Sequence, residues 1–508
     1  MKSSYILAID QGTSSTKTLI FDEAGKVVAR GSEPLKTYYS EGGLVEQNPE
    51  EIYQNVLLSV QKCLNEFSTQ GVALELIKAI GVSNQRETFV VWNGAGVPLY
   101  NAVVWQCKRS VNICERLLQA GLGETIKKKT GLLVDPYFSG TKLIWLYEKV
   151  AAVRTAVDAG QAYFGTIDTW LLYKLTNGQS YLTDYTNASR TLFFNLHTLT
   201  WDQELLNQFG LNRLNLPAPK PSATLFGQTD FQGLLPKPVQ ITSMIGDSHA
   251  AAFGEGCFAP GTAKATLGTG SSIIMNIGDE AKESGSGMVT TICWSTEDRV
   301  DYALEGVIVT CGATVEWLKN EMGLITDSQQ TEAMANAVPD NNGVYLVPAF
   351  SGLGAPHWDM NRRASITGLT FDCNKNHVVR AALEAMAYQI KDVIVAMEQD
   401  AQLALEKIMV NGGITANQFV MQFLADLLGK EVVKMGMPDV SALGAAYLAG
   451  LKAGIFKDLN HLKNLNTEKT KITPGKNQEQ VQRYYAGWQT AVGSTAALTT
   501  KMEETLNS

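Results

Sequence analysis

With 508 residues, the chain is too long to fold around one hydrophobic core, so two or more domains are expected. Its 45% hydrophobic and 18% charged residues are typical of a globular protein, and the net charge of −8 argues against a nucleic-acid or anionic-membrane partner. Seven cysteines without a C-x-x-C pair and five scattered histidines fit neither a disulfide framework nor a zinc site. The apolar run YILAI is too short for a signal peptide or a membrane span, so we expect a cytoplasmic protein.

The first segment, YILAIDQGTSSTKTLIFDEAGKVVARG (5–31), predicts an antiparallel meander of strands. β-forming runs alternate with small-residue turns, and no helical period follows Gly12. Rossmann and Walker A phosphate sites need a helix after the glycine-rich turn, and neither of their glycine motifs occurs in the sequence. A nucleotide site at this turn would therefore be of a hairpin type.

A related pattern returns half a chain later. Both AIDQGTSSTKTLIFDEAG (8–25) and ATLGTGSSIIMNIGDEA (265–281) read as strand, Gly-Thr turn with serines, apolar strand, and a turn containing Asp-Glu-Ala. We interpret the pair as an internal duplication that gives two domains of similar build, with a boundary near 250–258. Chance similarity between short Gly/Thr/Ser turns is the alternative.

The C-terminal third alternates strands and helices. Strand 407–410 is predicted to lead through a Gly-Gly turn into an amphipathic helix that stops at Gly429. A further helix is predicted to begin with Ser441 as its N-cap. The small, polar segment 491–508 is expected to fray.

Two aspartates follow apolar strands beside glycine turns. Asp10 precedes the Gly12 turn, and Asp247 separates VQITSMIG from the helix-like run SHAAAFG. Backbone N–H groups and hydroxyls at such turns suit phosphate oxygens, one or two carboxylates can hold Mg²⁺, and a carboxylate can serve as the base for a hydroxyl nucleophile. Capping of the helix is the alternative role for Asp247, and the local sequence does not separate the two.

Arg86 and Glu87 stand side by side at a predicted turn between strands. A guanidinium fork and a carboxylate that accepts two hydroxyl hydrogen bonds suit a polyhydroxylated substrate. A solvated surface ion pair is the alternative. Trp105 and Tyr137 would supply apolar walls for the carbon atoms of such a substrate, or else belong to the core.

Ten segments, in this order between about residues 5 and 490, resemble the motifs of the FGGY carbohydrate kinases, and most closely of the glycerol kinases among them. They are AIDQGTSSTK, GVSNQRETFVVWN, NAVVWQCKR, GLLVDPYFSGTK, FGTIDTWL, TDYTNASRT, YALEG, VPAFSGLGAPHWD, NGGITAN and ALGAAYLAGL. The resemblance implies an α/β fold of two duplicated actin-like ATPase (ribonuclease H-like) domains around an interdomain cleft. The expected divisions are an N-terminal domain (1–253), a C-terminal domain (254–490) and a tail (491–508).

By this resemblance, Asp247 would be the base that takes the proton of the acceptor hydroxyl, and Asp10 with Asp247 would hold Mg²⁺. The phosphates of ATP would be contacted by side chains of both hairpins, namely Thr13, Ser14, Ser15, Lys17 and Thr269. The rest of the nucleotide site would be lined by Gly312, Glu316, Gly413 and Asn417. The polyol pocket would be formed, together with Asp247, by Arg86, Glu87, Trp105 and Tyr137.

The sequence departs from the glycerol kinase pattern at two pocket positions. Ser248 replaces a glutamine that touches the hydroxyls of glycerol, and Ser272 replaces a phenylalanine on its carbon face. Both changes remove volume and add a hydroxyl, which favours either water in the gap or additional substrate atoms. The neighbouring His249 is expected to face the domain packing as a hydrogen-bonded histidine, with a pH-sensitive substrate contact as the alternative.

We therefore expect ATP-dependent phosphorylation of a primary hydroxyl of a small polyol, with glycerol ahead of a four- or five-carbon polyol or ketose. The alternative from another class is a non-catalytic actin-like ATPase, which needs phosphate hairpins but no polyol pocket. The contexts of Arg86, Glu87 and Trp105 favour the kinase. The family resemblance also implies a homodimer or a homotetramer.

Overall fold

The structure is a computed structural model that describes residues 4–41, 43–465 and 469–506, with side chains described as far as residue 494. The strands, in chain order, are β1 (Tyr5–Gln11), β2 (Ser15–Phe21), β3 (Val27–Pro34), β4 (Tyr38–Ser40), β5 (Leu44–Gln47), β6 (Ile77–Asn84), β7 (Phe89–Asn93), β8 (Ala102–Val103), β9 (Ala162–Thr166), β10 (Leu182–Asp184), β11 (Phe194–Asn195), β12 (Thr200–Trp201), β13 (Ala218–Lys220), β14 (Ala223–Thr229), β15 (Val239–Gly246), β16 (Thr262–Leu267), β17 (Ser271–Gly278), β18 (Val289–Thr296), β19 (Arg299–Ile308), β20 (Tyr345–Val347), β21 (Ser365–Thr367), β22 (Lys407–Asn411), β23 (Glu431–Met435) and β24 (Lys469–Ile472).

The α-helices are α1 (Pro49–Ser68), α2 (Val111–Gln119), α3 (Gly123–Thr130), α4 (Ser139–Lys149), α5 (Ala151–Asp158), α6 (Ile167–Leu175), α7 (Tyr185–Ala188), α8 (Gln203–Gln208), α9 (Asp247–Glu255), α10 (Ala313–Asn320), α11 (Gln330–Asn336), α12 (Lys375–Ala401), α13 (Gln418–Leu428), α14 (Val440–Lys452), α15 (Leu459–Leu465) and α16 (Gln478–Leu506). Short 3₁₀ turns cover Leu74–Leu76 and Gly413–Ala416. No helix of the described residues combines the length and the apolar character that crossing a bilayer requires.

A 13-stranded sheet contains the same unit twice. In the first copy β1 pairs antiparallel with β2 and parallel with β6, and in the second β16 pairs antiparallel with β17 and parallel with β22. The predicted meander is confirmed, because β3 continues the first hairpin in antiparallel order. Within the sheet, strand pairing joins the two copies through one residue pair of β14 and β18, Ala223 with Thr296. This symmetry confirms the α/β fold of two duplicated actin-like domains.

Helices cover both faces of the sheet and form the cores with it. The apolar runs of the central strands are buried on both faces, as in Ile6–Ile9 of β1, which is why they are continuous rather than alternating. In the second half, α12 and α13 pack with β16, β17 and β22 in the largest apolar cluster. These packed layers fix the strand ends from which the functional side chains project.

Helices α9 and α14 pack against each other with their backbones in contact. A Cβ atom on Gly444 would lie 1.8 Å from the carbonyl oxygen of Ala250, and one on Gly254 would lie 2.4 Å from that of Val440. Only glycine permits this approach. The boundary predicted between residues 253 and 254 lies within α9.

Two local predictions are confirmed and one is wrong. The strand before the Gly-Gly turn runs from Lys407 to Asn411, and Gly429 ends α13 in the left-handed conformation, as predicted. Ser441 does not cap α14, since the helix begins at Val440 and the Ser441 hydroxyl donates instead to the backbone carbonyl of Asp247, at 3.1 Å. The segment 491–508 is helical as far as Leu506, where α16 ends, and its fraying stays a prediction; residues 507–508 lie outside the described part of the chain.

Candidate active site

Asp247 stands where β15 ends and α9 begins. It is the first helical residue, and Gly246, which has no side chain to form a capping bond, occupies the cap position. Its carboxylate accepts from the N–H of the adjacent Ser248 at 2.6 Å, and the side chain is 37% exposed. Asp247 is therefore not the N-cap residue, although its carboxylate bonds one N–H of the first helical turn, and it remains accessible to a bound molecule.

Asp10 lies close enough to Asp247 for the two carboxylates to repel each other. Burial is the largest cause that raises the pKa of Asp10 to about 7, and the charge of Asp247 raises it further. The Ser83 hydroxyl donates to Asp10 at 3.0 Å and opposes the rise, as does the nearby charge of Lys17. An additional positive charge between the two carboxylates would relieve this strain.

Arg86 and Glu87 are not a solvated surface pair, because they are 5% and 1% exposed. Both lie at the end of β6, in the turn to β7. Arg86 donates through Nη1 and Nη2 to the two oxygens of Glu305, at 3.1 and 2.8 Å, and its Nε lies 3.4 Å from Asp247 Oδ1. This fork geometry fixes the plane of the guanidinium group.

A second arginine completes a buried network of four charges. Arg190 donates from Nε to Glu87 Oε1 at 2.6 Å, and its Nη1 lies 2.7 Å from Glu305 Oε2. Burial would raise the pKa of Glu305, but the charges of Arg190 and Arg86 outweigh it and hold this pKa far below its ordinary value. Glu305 is therefore the charged partner of both guanidinium groups.

The aromatic side chains expected in the pocket stand beside this network. The rings of Trp105 and Tyr137 meet edge to face with their centroids 5.6 Å apart, and both rings are only partly buried. Arg86 Nη2 lies 3.5 Å from the hydroxyl of Tyr137, and Trp105 Nε1 donates to Thr13 Oγ1 at 2.9 Å. The structure thus brings the predicted acceptor residues together, with Thr13 on the acceptor side.

Ser248, Ser272 and the neighbouring His249 differ in their burial and in their hydrogen bonds. Ser248 is partly buried next to Asp247, whereas the hydroxyl of Ser272 donates to Glu305 Oε1 at 3.2 Å. His249 is buried as expected, but among the described residues neither of its ring nitrogens has a hydrogen-bond partner, so the expected bond is absent. Burial, with Arg86 adding to it, lowers the pKa of His249 well below its ordinary value, and the ring is neutral.

A cavity of about 680 Å³ lies between the β16–β17 turn, the start of α10 and the turn before α13. It is lined by all five residues expected there, which are Thr269, Gly312, Glu316, Gly413 and Asn417. Asn417 also caps α13, accepting from the N–H of Val420 at 3.1 Å, and donates to Thr331 at 3.1 Å. Its side chain therefore supports the shape of the cavity.

The first hairpin leaves most of its polar groups accessible. A bond from the N–H of Gly12 to the carbonyl of Ser15 closes the turn, and Ser14 at its tip is exposed. Lys17 lies across from Asp10 in the hairpin register and forms an ion pair with Asp439 at 2.9 Å. A phosphate at this hairpin would compete with Asp439 for Lys17.

Residues 5–254 match the N-terminal domain model of the FGGY family of carbohydrate kinases, and residues 263–453 match its C-terminal domain model. The chain belongs to this family. It is similar to a glycerol kinase of Desulfitobacterium hafniense, with 44% identity over 96% of this chain and 98% of that relative. A glycerol kinase of Symbiobacterium thermophilum is 45% identical over 97% of this chain and 98% of its own length.

Among solved structures, the kinase resembles the glycerol kinase of Plasmodium falciparum crystallised with ADP. The TM-score is 0.91 with 34% sequence identity, over 97% of this chain and 98% of the other. The similarity covers both halves of the sheet and both candidate sites.

Sequence reasoning missed several residues of this FGGY kinase. Glu305 and Arg190 lie within the motifs YALEG and TDYTNASRT, which pointed to the family without assigning them a role. The cavity wall at the start of α11 was also missed, because the segment has no glycine turn or charge pair that would mark it. Its lining residues are Ser328, Gln329, Thr331 and Glu332.

Asp10 and Asp247 are two carboxylates that lie near each other at this site. In the described part of the chain, no group of three or more His, Cys, Asp or Glu side chains could hold a metal ion. Mg²⁺ in phosphoryl-transfer sites is held by one or two carboxylates, waters and the phosphates of the substrate. The mutually repelling pair Asp10 and Asp247 fits that requirement.

Proposed function

We propose that this FGGY kinase transfers the γ-phosphoryl group of ATP to a primary hydroxyl of glycerol, giving glycerol 3-phosphate and ADP. The observation that carries the proposal is the partly exposed carboxylate of Asp247, which lies 3.4 Å from Arg86. The names of the relatives at 44–45% identity over nearly the whole chain support glycerol as the acceptor.

The cavity of about 680 Å³ is the proposed site of the nucleotide, because its volume suits a small-molecule ligand and the backbone N–H groups of its turns can donate to phosphate oxygens. Gly312, Glu316, Gly413 and Asn417 would surround the nucleoside. Thr269 on one hairpin and Ser14, Ser15 and Lys17 on the other would contact the phosphates, while Thr13 would contribute through its backbone because Trp105 holds its hydroxyl.

The acceptor is proposed to lie beside Asp247, between the charged network and the aromatic pair. Arg86 and the second oxygen of Glu87 would orient its hydroxyls, and Trp105 and Tyr137 would cover its carbon atoms. The reaction needs little covalent chemistry from the protein, so most of the rate enhancement would come from positioning and charge stabilisation.

Asp247 takes the proton of the acceptor hydroxyl as that oxygen bonds to the γ-phosphorus and the bond from phosphorus to the ADP oxygen breaks. Asp10 and Asp247 are the residues that would hold Mg²⁺. When bound there, Mg²⁺ would neutralise charge on the phosphates. Ionisation of Asp10 is required for this role, and the cation favours it against the repulsion from Asp247.

A larger acceptor is the second candidate. The hydroxyl of Ser272 is held by Glu305, so this wall of the pocket is small and polar rather than apolar. A polyol or ketose of four or five carbons would place an additional hydroxyl there. Preference for such an acceptor would need a pocket large enough for the extra carbons. The small side chains of Ser248 and Ser272 favour a pocket of that kind.

The test is ADP release with Mg-ATP over glycerol, dihydroxyacetone, erythritol, the threitols, erythrulose and several pentuloses, with Asp247→Asn as the blank. Glycerol as the acceptor with the highest kcat/KM supports the first proposal. A four- or five-carbon acceptor that wins by tenfold, about 1.4 kcal/mol, identifies the second. ADP release that no acceptor stimulates would refute both.

We also propose a cytoplasmic homodimer or homotetramer. The exposed apolar side chains of Leu369 and Phe371 are compatible with a subunit contact. Light scattering on the eluting protein should give a multiple of 55.2 kDa, and a monomer at all concentrations would refute the assembly.

A further inference from the structure

Glu305 lies in the half of the chain that matches the C-terminal family domain, whereas Arg86 and Arg190 lie in the N-terminal half. We infer that Glu305 is a positioning residue for the acceptor: it holds the Arg86 guanidinium from across the domain boundary, and Arg190 and Ser272 hold Glu305. The inference rests on the proposed function, because it assumes that Arg86 contacts the acceptor.

The geometry around Arg86 carries the first step. Both terminal nitrogens donate to Glu305, at 3.1 and 2.8 Å, and the Nε edge therefore faces Asp247 at 3.4 Å. A bidentate carboxylate fixes both the plane and the rotation of a guanidinium. Without Glu305, Arg86 would be free to turn onto Asp247, where its whole charge would pair with the base.

The second step is how Glu305 is itself held. Ser272 donates to Oε1 at 3.2 Å, and Arg190 Nη1 lies 2.7 Å from Oε2. Arg190 is in turn fixed by its bond to Glu87 and by stacking 5.1 Å from the ring centre of Phe138. Arg190 therefore links Glu87, in the N-terminal half of the chain, to Glu305, in the C-terminal half.

The third step is the balance of charge. The two guanidinium groups and the two carboxylates of the network are all at most 5% exposed, and their charges sum to zero. The negative charge of Asp247 is therefore not needed to balance them. Removing one member leaves an unpaired buried charge, which is far more costly than removing a neutral side chain. Replacing Glu305 by a neutral side chain would draw Arg86 towards Asp247 and away from the acceptor.

The position of Glu305 on β19 links the two substrate sites. β19 ends at Ile308, and the chain reaches the nucleotide cavity at Gly312, four residues later. An acceptor held by Arg86 is therefore also held, through Glu305, to the half of the molecule that would carry ATP.

The experiment compares steady-state kinetics of Glu305→Gln, Ser272→Ala and the wild type, with the acceptor that the wild type prefers and with ATP. Glu297→Gln is the matched control. It is the same substitution at a glutamate that pairs with Lys452, and the Glu297 side chain is 52% exposed. Urea unfolding of each variant checks the fold. Expected for Glu305→Gln are a KM for the acceptor raised at least tenfold, a lower kcat, and a KM for ATP within threefold of the wild type.

A merely structural role gives another pattern, because a smaller folded fraction lowers the apparent kcat and leaves both KM values unchanged. That pattern would overturn the inference while leaving the proposed function intact. If Glu305→Gln does not fold, Ser272→Ala decides, since it keeps every charge: a two- to fivefold higher acceptor KM supports the inference, and an unchanged one overturns it. A wild type that phosphorylates no acceptor refutes the proposed function, and the inference falls with it.

Discussion

The contact between α9 and α14 predicts a large effect from one methyl group, in Gly444→Ala. The added Cβ would lie 1.8 Å from the carbonyl oxygen of Ala250, so the helices would have to separate by at least 1.2 Å to restore a 3.0 Å contact. The opposing atoms are backbone, including the N–H of Gly254, and no side chain can rotate away. We expect a loss of about 2–4 kcal/mol, at or above the usual range for overpacking, because the helix pair must move as a unit.

The same change should reduce activity in the molecules that remain folded. Asp247 begins α9, and its backbone carbonyl is bonded to Ser441 of α14, so separating the helices moves the carboxylate. A displacement of about 1 Å at a reacting group can cost on the order of 10²-fold in rate. kcat measured at a temperature well below unfolding, corrected for the folded fraction, tests this link.

Urea unfolding gives the stability, and Gly493→Ala is the matched control. Gly493 lies within α16, and outside the backbone of its own helix no described atom lies within 4 Å of an added Cβ there, so the substitution should be neutral or stabilise the helix by up to about 1 kcal/mol. A Gly444→Ala variant with the unfolding midpoint and kcat of the wild type would refute the backbone contact between α9 and α14.

Three further predictions concern charges. Arg86→Lys keeps the charge but loses the fork to Glu305, so the acceptor KM should rise at least tenfold while the KM for ATP stays within threefold; equal loss for both substrates contradicts the placement of Arg86. Asp10→Asn removes one proposed Mg²⁺ ligand and should raise the Mg²⁺ concentration for half-maximal activity at least tenfold, and an unchanged titration refutes that role. Burial raises the pKa of Glu255 to about 7, so the folded state keeps a proton that the unfolded state releases above about 4.5. Stability should fall as pH rises from about 4.5 to 7, by at most about 3 kcal/mol, and Glu255→Gln should remove that fall in urea unfolding; an equally steep fall in the variant would contradict it.

Local patterns were sufficient for the elements that the chain forms with its near neighbours. The hairpin with Gly12 and its repeat at Gly268 could be predicted because alternating strands and glycine turns are short-range signals. Asp247 at the end of β15 was predictable for the same reason. The N-cap assigned to Ser441 failed because Asp439, which belongs to another residue type favoured at caps, occupies the cap position. The Ser441 hydroxyl bonds instead to α9, across a helix contact that the local sequence does not show.

The partners of the charged residues could not be predicted in this way. Arg86 and Glu87 read equally well as a surface pair, and what buries them is Glu305, 219 residues from Arg86, together with Arg190, 103 residues from Glu87. A periodic pattern shows which face a strand buries but not which strand lies opposite. Ser272 is an example. The sequence shows that its side chain is smaller than the phenylalanine of the family pattern, but only the fold shows that its hydroxyl bonds to Glu305 of the charged network.

The state of His249 follows from the same network. Its ring is buried beside Arg86 and Arg190, where a third positive charge would be repelled, and so it stays neutral although no described residue bonds to its nitrogens. A neutral ring places no further positive charge near Asp247, and such a charge would make a carboxylate a weaker base. The pH dependence of transfer should therefore contain no contribution from His249 near pH 6.5, because protonation of its ring is suppressed there.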